Sequence, residues 1–311
     1  MLVVVASLAF GVRATSPDEV WHALFSPAAG NPADVVVRNL RVPRTVIGLL
    51  AGAGLGLAGT VAQGITRNPI ADPGLLGINA GASFAVVLLL WLQGQVGEVD
   101  QVLAAFCGAA AAAAVVFSIG RGGPVHLALA GAALTALLIP LIALILLRDQ
   151  SAFDNFRFWS VGSLTGRELH TAASLWPFLM LGALMAAALA SRLNALALGE
   201  DIATALGQRV WVTRALAGVA TVLLAGTATS LAGPVALVGL AVPHLARRVV
   251  GSDLRWVLPV ATLLGAAMLL IADVVGRLVA QPGEVEAGII AAFIGAPALV
   301  LIARSRRMAG L

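Results

Sequence analysis

Long apolar stretches separated by short polar breaks dominate the chain, and they predict helices that cross a bilayer. Ten stand out, at about 1–11, 45–64, 78–93, 101–119, 126–147, 172–191, 211–231, 234–250, 257–279 and 286–303. Crossing roughly 30 Å of hydrocarbon takes about 20 apolar residues in a helix. Leu127 to Leu147 meets this with twelve Leu or Ile and no charge. The first stretch is too short to cross, and it has neither a leading basic cluster nor a small-x-small cleavage site. It is read as part of a first helix that begins upstream, in preference to a signal-peptide core.

Ten spans place both ends of the chain on one side, and the tail Arg304-Ser305-Arg306-Arg307 marks that side as the cytoplasm. With this threading, eleven arginines and four acids fall inside and eight arginines and eleven acids outside, a formal +7 against −3. Gly48, Gly52 and Gly56 recur at intervals of four, a spacing that lets two helices approach closely in lipid. Leu57-Ala58-Gly59-Thr60 recurs as Leu224-Ala225-Gly226-Thr227 on a span of opposite direction. Such a match is cheap in an Ala- and Gly-rich chain, but it suits an inverted repeat of spans 2–5 and 7–10. The expected fold is an all-α membrane protein, about ten transmembrane helices in one bundle. Residues 1–311 form a single domain that contains a cytoplasmic loop at 192–209.

Composition narrows the function. The chain is 60% hydrophobic and 11% charged, with a mean hydropathy of +0.98. All nineteen basic residues are arginine, so the lysine of a Walker A loop is missing and the chain is not expected to hydrolyse ATP itself. The all-arginine usage reads as coding bias. The arginines are dispersed between spans, which argues against nucleic-acid binding. One cysteine, Cys107, and four scattered histidines (His22, His126, His170, His244) suggest no disulfide and no metal centre. There is no nucleophile elbow and no zinc-binding H-E-x-x-H. The acids gather at span ends, which weakens a proton-coupled carrier.

Several segments could carry mechanism. Between the sixth and seventh spans, Glu200 and Asp201 suit a helix start, Ile202, Ala205 and Leu206 share a face, and Gly207 suits a stop. With Leu193 to Leu198 before it, the loop reads as two short helices on the cytoplasmic surface. It is either an interfacial loop or an element that couples to a soluble subunit. Arg41-Val42-Pro43-Arg44 stands at an outer entrance, as snorkelling anchors or as a docking site for acidic groups. Arg277 lies one turn after Asp273 and can pair with it. Arg67-Asn68-Pro69-Ile70-Ala71-Asp72-Pro73-Gly74 reads as a tight turn. Pro243 breaks or kinks its span, with His244 as a helix-end residue, and Trp159 and Trp176 read as interface anchors.

Taken together, these motifs resemble the FecCD family, the transmembrane permeases of ABC importers for iron-siderophore, haem and cobalamin uptake. The resemblance rests on Arg41-Val-Pro-Arg44, Gly59 to Gln63, Arg67 to Gly77, Trp159 to Leu164, Gly199 to Gly207, Gly233 to Arg248 and Gly295-Ala-Pro297, in order from about residue 17 to the C-terminus. It implies a permease paired with a second permease subunit, as homo- or heterodimer, in a bacterial plasma membrane. Two cytoplasmic ATPase subunits would hold ATP and Mg and grip the coupling residues Glu200, Asp201, Ile202, Ala203, Leu206 and Gly207. An extracytoplasmic substrate-binding protein would dock at Arg41, Arg44 and Arg277. The loop Gly120 to His126, with Gly122, Gly123 and His126, would contribute to an inner gate. No cofactor would be bound by this chain. The rival reading is a gradient-driven secondary transporter that works without an ATPase.

Overall fold

The computed structural model describes residues 1–11, 15–28, 31–94, 96–120 and 123–305. Its elements are α1 (Leu2–Ala9), α2 (Pro17–Phe25), α3 (Pro32–Val35), a π-helical turn (Val36–Arg41), α4 (Val42–Thr66), a 3-10 turn (Pro73–Leu76), α5 (Ile78–Gln93), α6 (Glu98–Ile119), α7 (Pro124–Arg148), α8 (Gln150–Ser160), α9 (Leu169–Ala197), α10 (Glu200–Ala205), α11 (Val210–Ala232), α12 (Val238–Val250), α13 (Leu254–Val279) and α14 (Ala287–Ser305). The described residues contain no strand. Each of the ten predicted stretches has its helix, in α1, α4–α7, α9 and α11–α14. Among the described residues, six helices are long and apolar enough to cross a membrane: Pro32–Thr66 taken as one, α6, α7, α9, α11 and α13.

α4 is the hub, packed against α13, α11, α12 and α9. The glycine stripe explains how. A Cβ on Gly52 would lie 2.4 Å from the Gly265 carbonyl oxygen, and one on Gly265 would lie 2.2 Å from that of Gly52. The two backbones touch, as the small-residue spacing predicts.

The contacts also follow the inverted repeat. α4 packs against α13, the third helix of the second half, and α11 packs against α6, the third of the first. α4 and α11 meet each other, with the position of a Gly54 Cβ 3.0 Å from the Leu224 carbonyl oxygen. The second helix of each half is short, at 16 residues for α5 and 13 for α12. Each starts from a left-handed residue, Gly77 (φ 74°) or Leu237 (φ 68°). The residues before α5 fold back into the bundle: Gly239, near the start of α12, lies against Leu55 and Pro73. Leu55 is about 16 Å of helix from the end of α4. Arg67 to Gly77 is therefore a re-entrant segment, where the sequence predicted only a tight turn.

Two further expectations change. Leu193 to Leu198 is not a separate surface helix. α9 runs unbroken to Ala197, because Leu193 and Leu196 are fully buried and hold that end against the bundle. Trp159 is buried, stacked 5.7 Å from Phe156, whereas Trp176 is half exposed.

Candidate functional site

Chemistry-bearing residues gather at the two ends of the bundle and in the re-entrant segment. At one end, Arg41, Arg44 and Arg277 are all buried. The sequence placed them at an exposed entrance; the structure corrects this. Arg41 donates to the carbonyls of Leu8 and Ala9 and to Thr15 Oγ1, at 2.6–2.8 Å. Arg44 donates from Nε to Asp273 Oδ1 at 2.7 Å and from Nη1 to Glu284 Oε2 at 2.6 Å. Arg277 Nη2 lies 2.8 Å from Asp273 Oδ2 and also donates to Ser7 Oγ, while its Nη1 donates to the carbonyls of Ser7 and Phe10. Ser7 Oγ in turn shares a 2.8 Å hydrogen bond with Thr45. The three guanidiniums thus tie α1 to α4 and α13 from within. A buried arginine is tolerated only when it is paired and hydrogen-bonded, and this apolar end supplies the partners. The expected Asp273–Arg277 pair is present; Arg44 joins it. On the π turn before α4, Arg38 is exposed.

At the opposite end stands α10. Gly199, at φ 124°, turns the chain out of α9. Gly207, at φ 80°, closes α10 with two bonds, Gln208 N–H to Ala203 O at 3.0 Å and Gly207 N–H to Thr204 O at 2.8 Å. That pairing is a Schellman stop. Ala203 is fully buried and seats the helix on the bundle, so among the predicted coupling residues it faces inward. Ile202 is 48% exposed, Leu206 65% and, just before the helix, Leu198 65%. Arg214 of α11 donates to Glu200 Oε1 and fixes the start of α10. That hydrogen bond, with the charges of Arg214 and Arg67, holds the Glu200 carboxyl below the ordinary carboxylate range. Asp253 at the same end accepts from Arg255 N–H and Asn194, which lowers its own value.

The re-entrant segment adds a residue that sequence reasoning passed over. Asp72 Oδ1 accepts from Gly74 N–H at 2.7 Å and caps the 3-10 turn. Its Oδ2 faces the start of α12 across Gly239. Asp72 borders a cavity of about 560 Å³ between α4 and α7. The one available signal was an acid between two prolines, in a segment with no other charge after Arg67.

Of the gate residues, Gly122 lies outside the described residues. Gly123 precedes α7 at φ 116°, and His126 is exposed in its first turn. His244 is buried inside α12, where the sequence had it at a helix end, and its Nδ1 lies 2.9 Å from the Leu240 carbonyl oxygen. No group of three or more His, Cys, Asp or Glu among the described residues could hold a metal ion.

A helical multi-pass membrane protein with a re-entrant inverted repeat and a short helix mounted at one end defines a transporter subunit. The family model described as the FecCD transport family matches residues 1–305, and the chain belongs to that family. It is 45% identical to the ferric enterobactin transport system permease protein FepD of Escherichia coli, over all of this chain and 94% of its relative. It is 39% identical to the Fe(3+) dicitrate transport system permease protein FecC of Escherichia coli, over 88% of this chain and 84% of that one. Among solved structures it resembles an inward-facing metal-chelate type ABC transporter, at TM-score 0.87 and 27% identity, covering 98% of this chain and 96% of that chain. The resemblance of the motifs is thereby confirmed for the family and the fold.

Proposed function

We propose that this chain is the permease subunit of an ATP-driven importer that moves a ferric siderophore or a related metal chelate through a bacterial plasma membrane. The observation that carries the proposal is α10. Ala203 anchors it, Arg214 orients it, and Ile202 and Leu206 stay about half or more exposed on its outer side. In a chain without lysine, that surface is where force from a separate ATPase would enter. The α10 end then faces the cytoplasm, with the C-terminal end of α14 on that side.

The mechanism is alternating access. Two ATPase subunits bind ATP and Mg, close, and move α10, which is tied to the bundle through Ala203 and the Glu200–Arg214 pair. The long apolar face of α7, exposed at Leu129, Leu137, Leu144 and Leu147, is the surface for a second permease subunit, with the path between the two. Gly123 and His126, at the start of α7, border its inner mouth. An extracytoplasmic binding protein docks at the opposite end, which Arg41, Arg44 and Arg277 brace from inside.

The test is uptake of ferric chelates into liposomes that hold the chain with its copurified ATPase. Uptake that requires ATP inside and survives collapse of ion gradients supports the assignment. Uptake by the chain alone, driven by a gradient, would replace it with the secondary-transporter reading.

A further inference from the structure

A second cavity, about 820 Å³, runs between α6, the start of α7 and α11. Its walls are apolar, among them Phe106, Ala114 and Val219. Along α6 it extends from Phe106 to Ser118, roughly 18 Å of helix, the reach of one extended lipid acyl chain. Its floor is shaped by Phe117, whose ring lies over Gly218 so closely that a Cβ there would sit 2.1 Å from the ring.

One end of the groove is polar. Arg214 lines it with only 12% of its side chain exposed. Its Nη2 is used by Glu200, but its Nε is buried with no acceptor among the described residues. Trp211, three residues earlier, is 75% exposed, as a bilayer-interface anchor would be. Arg209 is also exposed there. An apolar slot the length of a hydrocarbon tail, with one guanidinium at its end and a second arginine exposed beside it, is complementary to one kind of partner. Basic pockets between membrane helices recognise anionic headgroups in this way.

We propose that this groove holds an anionic phospholipid, with an acyl chain along α6 and α11 and its headgroup beside the Arg214 guanidinium and the exposed Arg209. The same guanidinium pairs with the first residue of α10, so groove and helix share one side chain.

The test is native mass spectrometry of the full-length protein released from nanodiscs containing equal phosphatidylglycerol and phosphatidylcholine of matched chains. Both lipids carry the phosphate, but the choline cation of phosphatidylcholine is repelled by the arginines, so wild type should retain phosphatidylglycerol in preference by about tenfold. Arg214→Gln should bring the preference to parity. Glu200→Gln breaks the same ion pair but keeps the arginine, and should leave the preference intact, which separates headgroup binding from damage to α10. Ala114→Trp, at an exposed groove position, should reduce retention of both lipids. Equal retention of the two lipids by wild type, an undiminished preference in Arg214→Gln, or a lipid-free dimer with the groove at its interface would each overturn the proposal.

Discussion

Arg44 and Asp273 form a buried pair between helices 229 positions apart in sequence, Nε to Oδ1 at 2.7 Å. The same carboxylate receives Arg277 one turn further along α13, so a single acid serves two cations. Asp273→Asn would leave both short of a counter-charge in an apolar setting. Removal of one member of a buried pair costs about 3–5 kcal/mol. A matching drop in stability, or failure to accumulate folded protein, is expected in thermal melts in detergent. Glu284→Gln, at the more exposed partner, should cost much less.

The close approach of α4 and α13 gives a second prediction. Gly52→Ala drives a Cβ into the backbone of Gly265 and should destabilise by at least about 1–3 kcal/mol, the usual cost of overpacking. Gly64→Ala on the same helix meets nothing closer than 3.6 Å and should be tolerated. Thermal melts of the two variants side by side provide the check.

Glu200 gives a pH dependence. Its folded value is depressed, first by the Arg214 hydrogen bond. Its stabilising contribution is therefore present above the unfolded value of about 4.3 and is lost as pH falls through the lower folded value. With 43% of the Glu200 side chain exposed, the effect is below about 1 kcal/mol. Amide protection in α10, taken relative to the intrinsic exchange rate at each pH, should fall as the pH is lowered through that window in wild type. In Glu200→Gln it should be low throughout.

Asp72 caps the 3-10 turn of the re-entrant segment. Asp72→Asn keeps an acceptor for Gly74 N–H and should be tolerated. Asp72→Ala loses the cap and should cost about 1 kcal/mol. Melting curves of the two variants separate loss of the cap from loss of the charge.

How much of this was legible follows from the range of each interaction. Hydropathy placed ten stretches that each hold a helix, since apolar length is a local property. Glu200 to Gly207 was readable because a helix start, an apolar face and a glycine stop lie within eight residues. The arginine cluster was misplaced at the surface: its partners Ser7, Asp273 and Glu284 are distant in sequence, and nothing near Arg41 or Arg44 signals them. The re-entrant segment was hidden for the same reason. Its prolines and glycine look like any turn until Gly239 is seen beside Pro73. Leu193 to Leu198 looked like a separate helix because Gly199 breaks the chain, but the break lies after α9, not before it.

The decisive measurement is ATP-driven uptake by the reconstituted importer carrying Ile202→Ala with Leu206→Ala. Both side chains are exposed, so the fold should be unaffected. Coupling through α10 predicts at least about a tenfold loss of uptake, the equivalent of 1.4 kcal/mol, with ATPase stimulation lost in parallel and the melting temperature unchanged. Wild-type uptake and stimulation in the double variant would contradict it.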